Sequence, residues 1–245
     1  MPIEIESKHT NKKSYISSNL IVVEGFDGTG KTTLCEKLAG VWNQWSCVAP
    51  SYYREPGSTR ISEGLREFMF SHSDLDENML TLLMTSSRYE LMKTFVNSDL
   101  HLKPVILDRF VYSTLVYQGG DNSETINNIE HLHNMYIGVL PKIIVFLHAK
   151  PSDIIERISH RDNGNSFDDR FIEKIDIMQR RYWKAIHETS LHSTVKPNII
   201  SVNTSEFKPE LLTSLISGVI KDYRTAGILG QEFELGSSFV PIYNQ

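Results

Sequence analysis

The sequence predicts an α/β protein in which a parallel β-sheet is covered by helices on both faces. Apolar, strand-like runs alternate with helical patterns along most of the chain. The strand-like runs are continuously apolar, as is usual for sheets buried on both faces. A glycine-rich loop follows the first of these runs directly. Because such sheets bind ligands at the carboxyl ends of their strands, we expect the functional residues at that edge.

The first predicted strand covers residues 20–24, a short β-branched run that ends at the glycine loop. Comparable apolar runs predict four further strands, at residues 48–53, 104–108, 142–147 and 198–202. Helical spacing predicts helices at residues 32–45, 59–70, 76–97, 123–139, 171–190 and 209–223. One more helix is expected after Pro151, where Ser152 can cap it.

The composition is that of a globular protein. The chain has 245 residues, 40% of them hydrophobic, and a formal net charge of −5. This slight acidity argues against binding nucleic acid mainly by charge. The longest uninterrupted apolar run, residues 143–147, is far too short for a bilayer-spanning helix, so no membrane partner is expected. Cys35 and Cys47 are expected to be free thiols of a reducing compartment.

Both ends of the chain are expected to lie outside the main domain, residues 19–224. Residues 1–18 are polar and contain no apolar signal segment, which predicts a flexible lead-in and a cytoplasmic protein. Residues 225–245 contain three glycines and no helical period, and we interpret them as a C-terminal extension. Apolar residues such as Phe233 and Phe239 predict that this extension packs on another part of the protein.

The clearest motif follows the first strand, where residues 25–32 match the pattern G-x-x-x-x-G-K-[ST]. Glycines let successive backbone N–H groups point at phosphate oxygens, and the start of the next helix adds positive potential. Lys31 can reach the β- and γ-phosphates, and the Thr32 hydroxyl can ligate Mg²⁺. Asp27, inside the loop, either forms the turn or holds the acceptor or a metal-bound water.

Asp108 and Arg109 end the strand at residues 104–108. Asp108 stands where a Walker-B-like acid lies near Mg²⁺, and Arg109 would point to the ligand edge of the sheet. A simple ion pair at the end of a strand is the alternative. Arginine suits phosphate binding because it is always charged and can make bidentate contacts.

Five pieces together resemble thymidylate kinases of the bacterial type. They are residues 24–33, 54–57, 86–88, 108–110 and, the most specific, Ser113-Thr-Leu-Val-Tyr-Gln-Gly119. The resemblance covers residues 19–223. It implies a P-loop nucleoside-monophosphate-kinase fold with a short lid at about residues 157–170. It also implies a homodimer that uses ATP and Mg²⁺ to phosphorylate dTMP to dTDP.

The resemblance also implies roles for individual residues. ATP would be bound by Gly25, Phe26, Asp27, Gly28, Thr29, Gly30, Lys31, Thr32 and Thr33, with Thr32 and Asp108 near the metal. Catalysis would depend on Lys31, Asp27, Arg109, Arg157 and Arg161. The acceptor would be bound by Arg54, Glu55, Arg66, Met84, Arg88, Arg109, Ser113, Thr114, Tyr117 and Gln118.

Within this acceptor set the implied roles differ. Arg109 and Arg66 would grip the acceptor phosphate, and Arg88 would donate to a pyrimidine carbonyl. Tyr117 would crowd the 2′ position of the sugar and so favour deoxyribose, and Ser113 would support that wall.

Two features depart from the family pattern. Met84 stands where the family usually has a phenylalanine that stacks on the base. Ser166 stands where a further lid arginine is expected, so Arg170 is a candidate replacement. These departures leave two alternatives open: a kinase for another pyrimidine (deoxy)nucleotide or a deoxynucleoside, and a non-catalytic nucleotide-sensing module. The presence of both Lys31 and Arg109 argues against the sensing module.

Overall fold

The computed structural model describes residues 14–44, 46, 48–160, 174–227 and 229–239. These residues form one six-stranded, wholly parallel sheet with the strand order β2-β3-β1-β4-β5-β6. The strands are β1 (Tyr15–Gly25), β2 (Ser51–Arg54), β3 (Val105–Asp108), β4 (Val139–His148), β5 (Asn198–Asn203) and β6 (Glu232–Leu235). The parallel sheet confirms the predicted fold class.

Helices connect successive strands, as parallel strands require. In the described part of the chain they are α1 (Lys31–Val41), α2 (Arg60–Ser71), α3 (Glu77–Leu91), α4 (Asn97–Leu102), α5 (Val111–Thr114), α6 (Ser123–Tyr136), α7 (Pro151–Ser159), α8 (Ile175–His187) and α9 (Pro209–Ala226). Two π-helical turns, Met92–Val96 and Leu115–Gly119, continue α3 and α5. Short 3₁₀ turns lie at Trp42–Gln44 and Ser190–His192.

The sheet separates two hydrophobic cores. Leu20 and Val22 of β1 face one core, whereas Ile21 and Val23 face the other. All four of these side chains are completely buried. Helices therefore cover both faces of the central strands, and this is why these strands appear as unbroken apolar runs in the sequence.

Local signals account for several helix starts. The hydroxyl of Thr59 accepts a hydrogen bond from Ser62 N at the start of α2. The carboxylate of Asp76 does the same for Met79 N at the start of α3. Helix α7 begins with Pro151 in its first turn rather than with a side-chain cap from Ser152. The side-chain oxygens of Thr59 and Asp76 satisfy N–H groups that the helix itself leaves unpaired.

The structure corrects several element boundaries. Strand β1 begins at Tyr15, so the last residues of the predicted lead-in belong to the sheet. The helical run that starts in α3 continues through a π turn to Leu102, beyond the predicted end at residue 97. Strand β2 starts at Ser51 rather than at residue 48. The predicted helix at residues 123–139 ends at Tyr136, and Val139 already begins β4. Residues 1–13 lie outside the described part of the chain.

The C-terminal extension contains β6, a strand that the sequence analysis did not predict. It pairs in parallel with β5, and Leu235 and Phe239 pack against the two hydrophobic cores. The expected packing of this extension is therefore seen for residues 229–239. No helix in the described part of the chain is both long and apolar enough to cross a membrane.

Candidate active site

The phosphate-binding loop connects β1 to α1 at the centre of the sheet. Gly25, Gly28 and Gly30 have φ angles of 145°, 82° and 94°, a region that residues with a Cβ rarely adopt. At Gly25 a Cβ would also lie 2.2 Å from the carbonyl oxygen of Leu147, so only glycine fits. Because α1 begins at Lys31, the loop ends at a helix N-terminus, where free N–H groups favour an anion.

Side chains inside the loop hold its shape. The Thr29 hydroxyl donates to Phe26 O at 2.7 Å, and Lys31 Nζ donates to the same oxygen at 3.0 Å. The Phe26 side chain is completely buried, so this residue anchors the loop in the core. Thr33, in contrast, has an exposed side chain on α1.

Asp27 lies between two cations. Its carboxylate is 3.1 Å from Lys31 Nζ and forms an ion pair with the guanidinium of Arg109. The Tyr117 hydroxyl is 3.5 Å from the other carboxylate oxygen. These contacts show that Asp27 does more than form a turn, because it connects the phosphate-binding loop with the opposite wall of the cleft.

Arg109 follows β3 and has a φ angle of 73°, an uncommon conformation for a residue other than glycine. Its guanidinium donates to Ser113 Oγ at 3.1 Å and to the Tyr182 hydroxyl at 2.8 Å. Burial lowers the pKa of Arg109, but the nearby Asp27 carboxylate more than offsets this, so the pKa lies above its ordinary value. The guanidinium is therefore a permanent charge held in a fixed direction.

Glu24, at the end of β1, holds the residues that follow Arg109 in place. One of its carboxylate oxygens accepts hydrogen bonds from Phe110 N at 2.7 Å and Ser113 N at 3.2 Å, and the other accepts from Ser113 Oγ at 2.7 Å. Burial raises the pKa of Glu24 to about 7 although these hydrogen bonds and Arg109 lower it. Glu24 was not among the predicted site residues, although a single acid at the end of an apolar strand is a visible signal in the sequence.

Thr32 and Asp108 meet where the metal was predicted. The Thr32 hydroxyl donates to one Asp108 carboxylate oxygen at 2.6 Å. The other oxygen of Asp108 is buried and has no hydrogen-bond partner in the described part of the chain. Within the described ranges, no three His, Cys, Asp or Glu side chains cluster as metal ligands. One carboxylate and one hydroxyl nevertheless fit Mg²⁺, which commonly takes few protein ligands and completes its shell with phosphate and water.

All ten residues predicted to bind the acceptor line a single cleft. It extends from the phosphate-binding loop across the carboxyl ends of β2 and β3. Its walls also include Asp27, Lys31, Thr32 and Asp108. Pro56, Phe70 and Phe110 line it as well, and the sequence analysis did not select them.

Arg88 and Glu55 form a buried ion pair on one wall of this cleft. Arg88 Nε lies 2.7 Å from Glu55 Oε2, and both side chains are about 95% buried. Arg88 Nη2 also donates to Thr114 Oγ1 at 2.9 Å, and the guanidinium lies over the Phe110 ring. Burial raises the pKa of Glu55, although Arg88 partly offsets this. The pair holds Arg88 in one orientation toward the cleft.

Two further polar atoms of the cleft residues have no partner among the residues that the structure describes. Gln118 Nε2, a donor, and Glu55 Oε1, an acceptor, are both buried and without a hydrogen bond. Leaving such groups unsatisfied is unfavourable, by about 1–3 kcal/mol each. They are therefore suited to a ligand that presents both an acceptor and a donor.

The cleft is also strongly cationic. Arg66 lies over the Phe70 ring at 4.6 Å and donates to Pro56 O at 3.2 Å. Burial lowers the pKa of Arg66, and repulsion from Arg54 and Arg109 lowers it further. Arg54 pairs with Glu63 at 3.0 Å. An anion bound among these three arginines would relieve their mutual repulsion.

On the other side of the loop, Arg157 of α7 contacts the loop backbone. Its guanidinium donates to Gly28 O at 3.2 Å, to Thr204 Oγ1 at 3.0 Å and to Thr204 O at 3.0 Å. Arg157 thus lies beside the loop on α7, and its catalytic role in the lid stays a prediction. Arg161, Ser166 and Arg170 fall outside the described residues, so the structure gives no placement for most of the predicted lid.

Comparison with known proteins gives consistent results. A sequence model described as thymidylate kinase matches residues 23–206. A thymidylate kinase from Ehrlichia ruminantium (strain Gardel) is 32% identical over 193 residues, which are 74% of this chain and 93% of that protein. One from Legionella pneumophila (strain Paris) is 30% identical over 217 residues, covering 86% and 97% of the two chains.

A solved structure also resembles the fold. It is described as the crystal structure of thymidylate kinase from Ehrlichia chaffeensis and superposes with a TM-score of 0.63. The match covers 84% of this chain and 99% of that one at 22% sequence identity. At this identity the likeness supports the architecture.

Proposed function

Because the chain belongs to the thymidylate kinase family, we propose that it transfers the γ-phosphoryl group of ATP to dTMP, forming dTDP and ADP. One observation carries this proposal. The ten predicted acceptor residues and the phosphate-side residues Asp27, Lys31, Thr32 and Asp108 line one continuous cleft. Donor and acceptor phosphates can therefore meet within it.

The residues of the cleft suit direct, in-line transfer. The acceptor phosphate binds among Arg109, Arg66 and Arg54, and Lys31 binds the β- and γ-phosphates of ATP. An acceptor phosphate oxygen attacks the γ-phosphorus, and the bond to the ADP oxygen breaks. No covalent intermediate on the enzyme is needed, because positioning and charge neutralisation supply the catalysis.

Asp27 would rearrange when both substrates bind. In the structure its carboxylate pairs with Lys31 and Arg109, the same cations that the phosphates require. The phosphates compete for these cations, and Asp27 is left beside the acceptor. Thr32 and Asp108 would hold Mg²⁺, which supplies charge neutralisation on the β- and γ-phosphates when it is bound.

The pyrimidine base would occupy the wall formed by Arg88, Thr114 and Gln118. Arg88 is fixed by Glu55 and can donate to a carbonyl of the base. The unsatisfied Gln118 Nε2 can donate to a second base oxygen, and Glu55 Oε1 can accept a hydrogen bond. Thymine offers two carbonyl oxygens and one N–H, which matches this set.

Met84 is the reason to consider an acceptor other than dTMP. It lines the cleft where the family usually has an aromatic residue, and its flexible thioether packs on a ring less rigidly. A kinase for dUMP or another pyrimidine substrate is therefore the alternative.

A panel of acceptors decides between these functions. ADP formation would be measured with Mg·ATP and dTMP, dUMP, dCMP, UMP, dGMP or thymidine. We expect strong turnover with dTMP and weak turnover with the others. Preference for another acceptor would reassign the substrate, and no turnover with any acceptor in a protein that binds ATP would support the sensing module.

We also propose that the protein forms a homodimer and works in the cytoplasm, where its nucleotide substrates are available. Met79, Leu82 and Tyr89 form an exposed apolar face on α3. Tyr89 contacts Tyr136 of α6 edge to face, with ring centroids 6.3 Å apart. We call these four residues the α3–α6 face. A second copy of the chain would bury this face.

A further inference from the structure

The end of the chain lies beyond the region that the family model matches. That match ends at residue 206, whereas α9 and β6 follow it. We call residues 230–239 the C-terminal segment. It contains β6 and then continues past the carboxyl end of β5. Ligands of a parallel sheet bind at this edge, so the segment reaches the edge at which the functional residues lie.

Two contacts fix the segment at this edge. Both carboxylate oxygens of Glu206 accept from Ser237 N at 3.1 Å. The approach is close, because a Cβ at Gly236 would lie 2.7 Å from Glu206 Oε2. Further along, the Phe239 ring lies 5.2 Å from the His148 ring and 5.8 Å from the Phe146 ring. The segment is therefore anchored to the ends of both β4 and β5.

Glu206 also forms hydrogen bonds within the turn that follows β5, so it connects the C-terminal segment to this turn. Its carboxylate accepts from Asn203 Nδ2 at 2.9 Å, and Asn203 Oδ1 accepts from Ser205 N at 3.1 Å. Thr204 N donates to His148 O at 2.8 Å, beside the ring that Phe239 covers. The C-terminal segment thus contacts Glu206 of the turn formed by residues 203–206 and also His148 of β4, whose carbonyl oxygen accepts from Thr204 N.

This turn in turn holds Arg157. Thr204 accepts two hydrogen bonds from the Arg157 guanidinium, each 3.0 Å long. The same guanidinium donates to Gly28 O in the phosphate-binding loop at 3.2 Å. Contacts therefore run from Ser237 to Glu206 and Asn203. The backbone of the turn connects these residues to Thr204, which contacts Arg157, and Arg157 contacts Gly28.

The position of this chain of contacts indicates which substrate it serves. The acceptor cleft occupies the carboxyl ends of β2 and β3, on one side of the phosphate-binding loop. A donor nucleotide with its terminal phosphate in that loop must extend to the other side, over β4 and β5. Arg157 and the turn at residues 203–206 lie there.

We propose that the C-terminal segment is a positioning element for the donor nucleotide. Through Glu206 and Phe239 it fixes the turn that holds Arg157 against the phosphate-binding loop. The proposal rests on the proposed function only in that the donor is ATP. Glu206 and Phe239 are positioning residues, because they act through Thr204 and Arg157.

Four variants test this role. Glu206→Ala removes the acceptor of the Ser237 N–H, and Phe239→Ala removes the ring over His148. Glu232→Ala and Phe233→Ala are the matched controls, because both side chains are exposed on β6. The Kd for Mg·ATP would be measured by calorimetry without acceptor. The KM values for ATP and dTMP and the melting temperature complete the comparison.

We expect Glu206→Ala and Phe239→Ala each to raise the Kd and KM for ATP about five- to tenfold. The KM for dTMP should stay within about twofold, and the controls should bind ATP as the unaltered protein does. An unchanged Kd for ATP in both variants, or an equal rise in both KM values, would overturn the proposal. If the unaltered protein bound ATP but did not phosphorylate dTMP, the proposed function would fail while the calorimetric comparison still tested the segment.

Discussion

Asp27 and Arg109 form an ion pair across the cleft, between the phosphate-binding loop and the residue that follows β3. The same carboxylate lies 3.1 Å from Lys31 Nζ. One acid therefore pairs with both the cation expected to bind the donor phosphates and the cation expected to bind the acceptor phosphate. Binding of the two substrates must replace these pairs, which couples the two halves of the cleft.

Lys31→Ala should remove activity and leave the fold intact. We expect kcat/KM to fall about 1,000-fold or more, because the charge on the transferred phosphoryl group loses its main protein partner. Lys37→Ala is the control, since Lys37 lies on the same helix and pairs with Glu210 at the surface. Steady-state kinetics and circular dichroism would be compared. Full activity in a folded Lys31→Ala protein would refute the mechanism.

Tyr117→Ala should weaken the rejection of ribonucleotides. Tyr117 lines the cleft, and the Arg109 guanidinium lies 5.5 Å from its ring centroid. Removing the ring opens space for a 2′-hydroxyl, so the ratio of kcat/KM for deoxy- over ribonucleotide should fall about tenfold. Tyr117→Phe keeps the ring and should keep the ratio. If the ratio is the same in all three proteins, the 2′ position is sensed elsewhere.

Arg88→Met should strongly destabilise the protein. It leaves the Glu55 carboxylate buried without its partner, which typically costs about 3–5 kcal/mol. Adding Glu55→Gln removes that charge. The double variant should therefore lose less unfolding free energy than the two single variants lose together. Urea unfolding of all four proteins measures this coupling. Additive changes would show that the pair contributes no interaction energy.

Glu24→Gln should change how stability depends on pH. The pKa of Glu24 is raised from 4.5 to about 7 by burial, so between these values the folded protein holds a proton that the unfolded chain has lost. The free energy of unfolding therefore falls as pH rises from 4.5 to 7, by about 3 kcal/mol from this group. Urea unfolding at pH 5 and pH 7.5 should show this fall in the unaltered protein and a smaller one in Glu24→Gln. Equal pH dependence would contradict the assignment.

Leu82→Glu should yield monomers if the α3–α6 face joins two copies. A charge in the middle of this face would be buried without a partner on association. Leu102→Glu is the control, because Leu102 is exposed at the end of α4, outside that face. Light scattering during gel filtration would give the masses. A dimer that persists in Leu82→Glu would place the interface elsewhere.

The sequence predicted the first five strands and most of the helices between them, because continuous apolar runs and helical spacing are strong local signals. It did not predict α5. It missed β6, whose four residues alternate between acidic and apolar and become a strand only by pairing with β5. It also missed the π turn at Leu115–Gly119, since no local residue type announces that geometry.

The residues of the candidate site that belong to sequence motifs could be predicted. Every residue chosen for the acceptor lines the cleft, but Phe70 was not chosen although it belongs to the same lining. Tyr182 was also missed. Tyr182 belongs to no recognisable motif and lies 73 residues after Arg109 in the chain. It contacts Arg109 because α8 packs against the sheet. Such contacts depend on tertiary packing and leave no pattern in the local sequence.

The position of β6 has a consequence for the behaviour of the protein at high concentration. Without it, β5 would be an edge strand with all six side chains buried and its backbone N–H and C=O groups open to pairing with another chain. β6 covers that edge and exposes in its place a strand of only four residues that carries Glu232 and Glu234. Short edges with like charges resist edge-to-edge pairing, so β6 also protects the folded protein against aggregation.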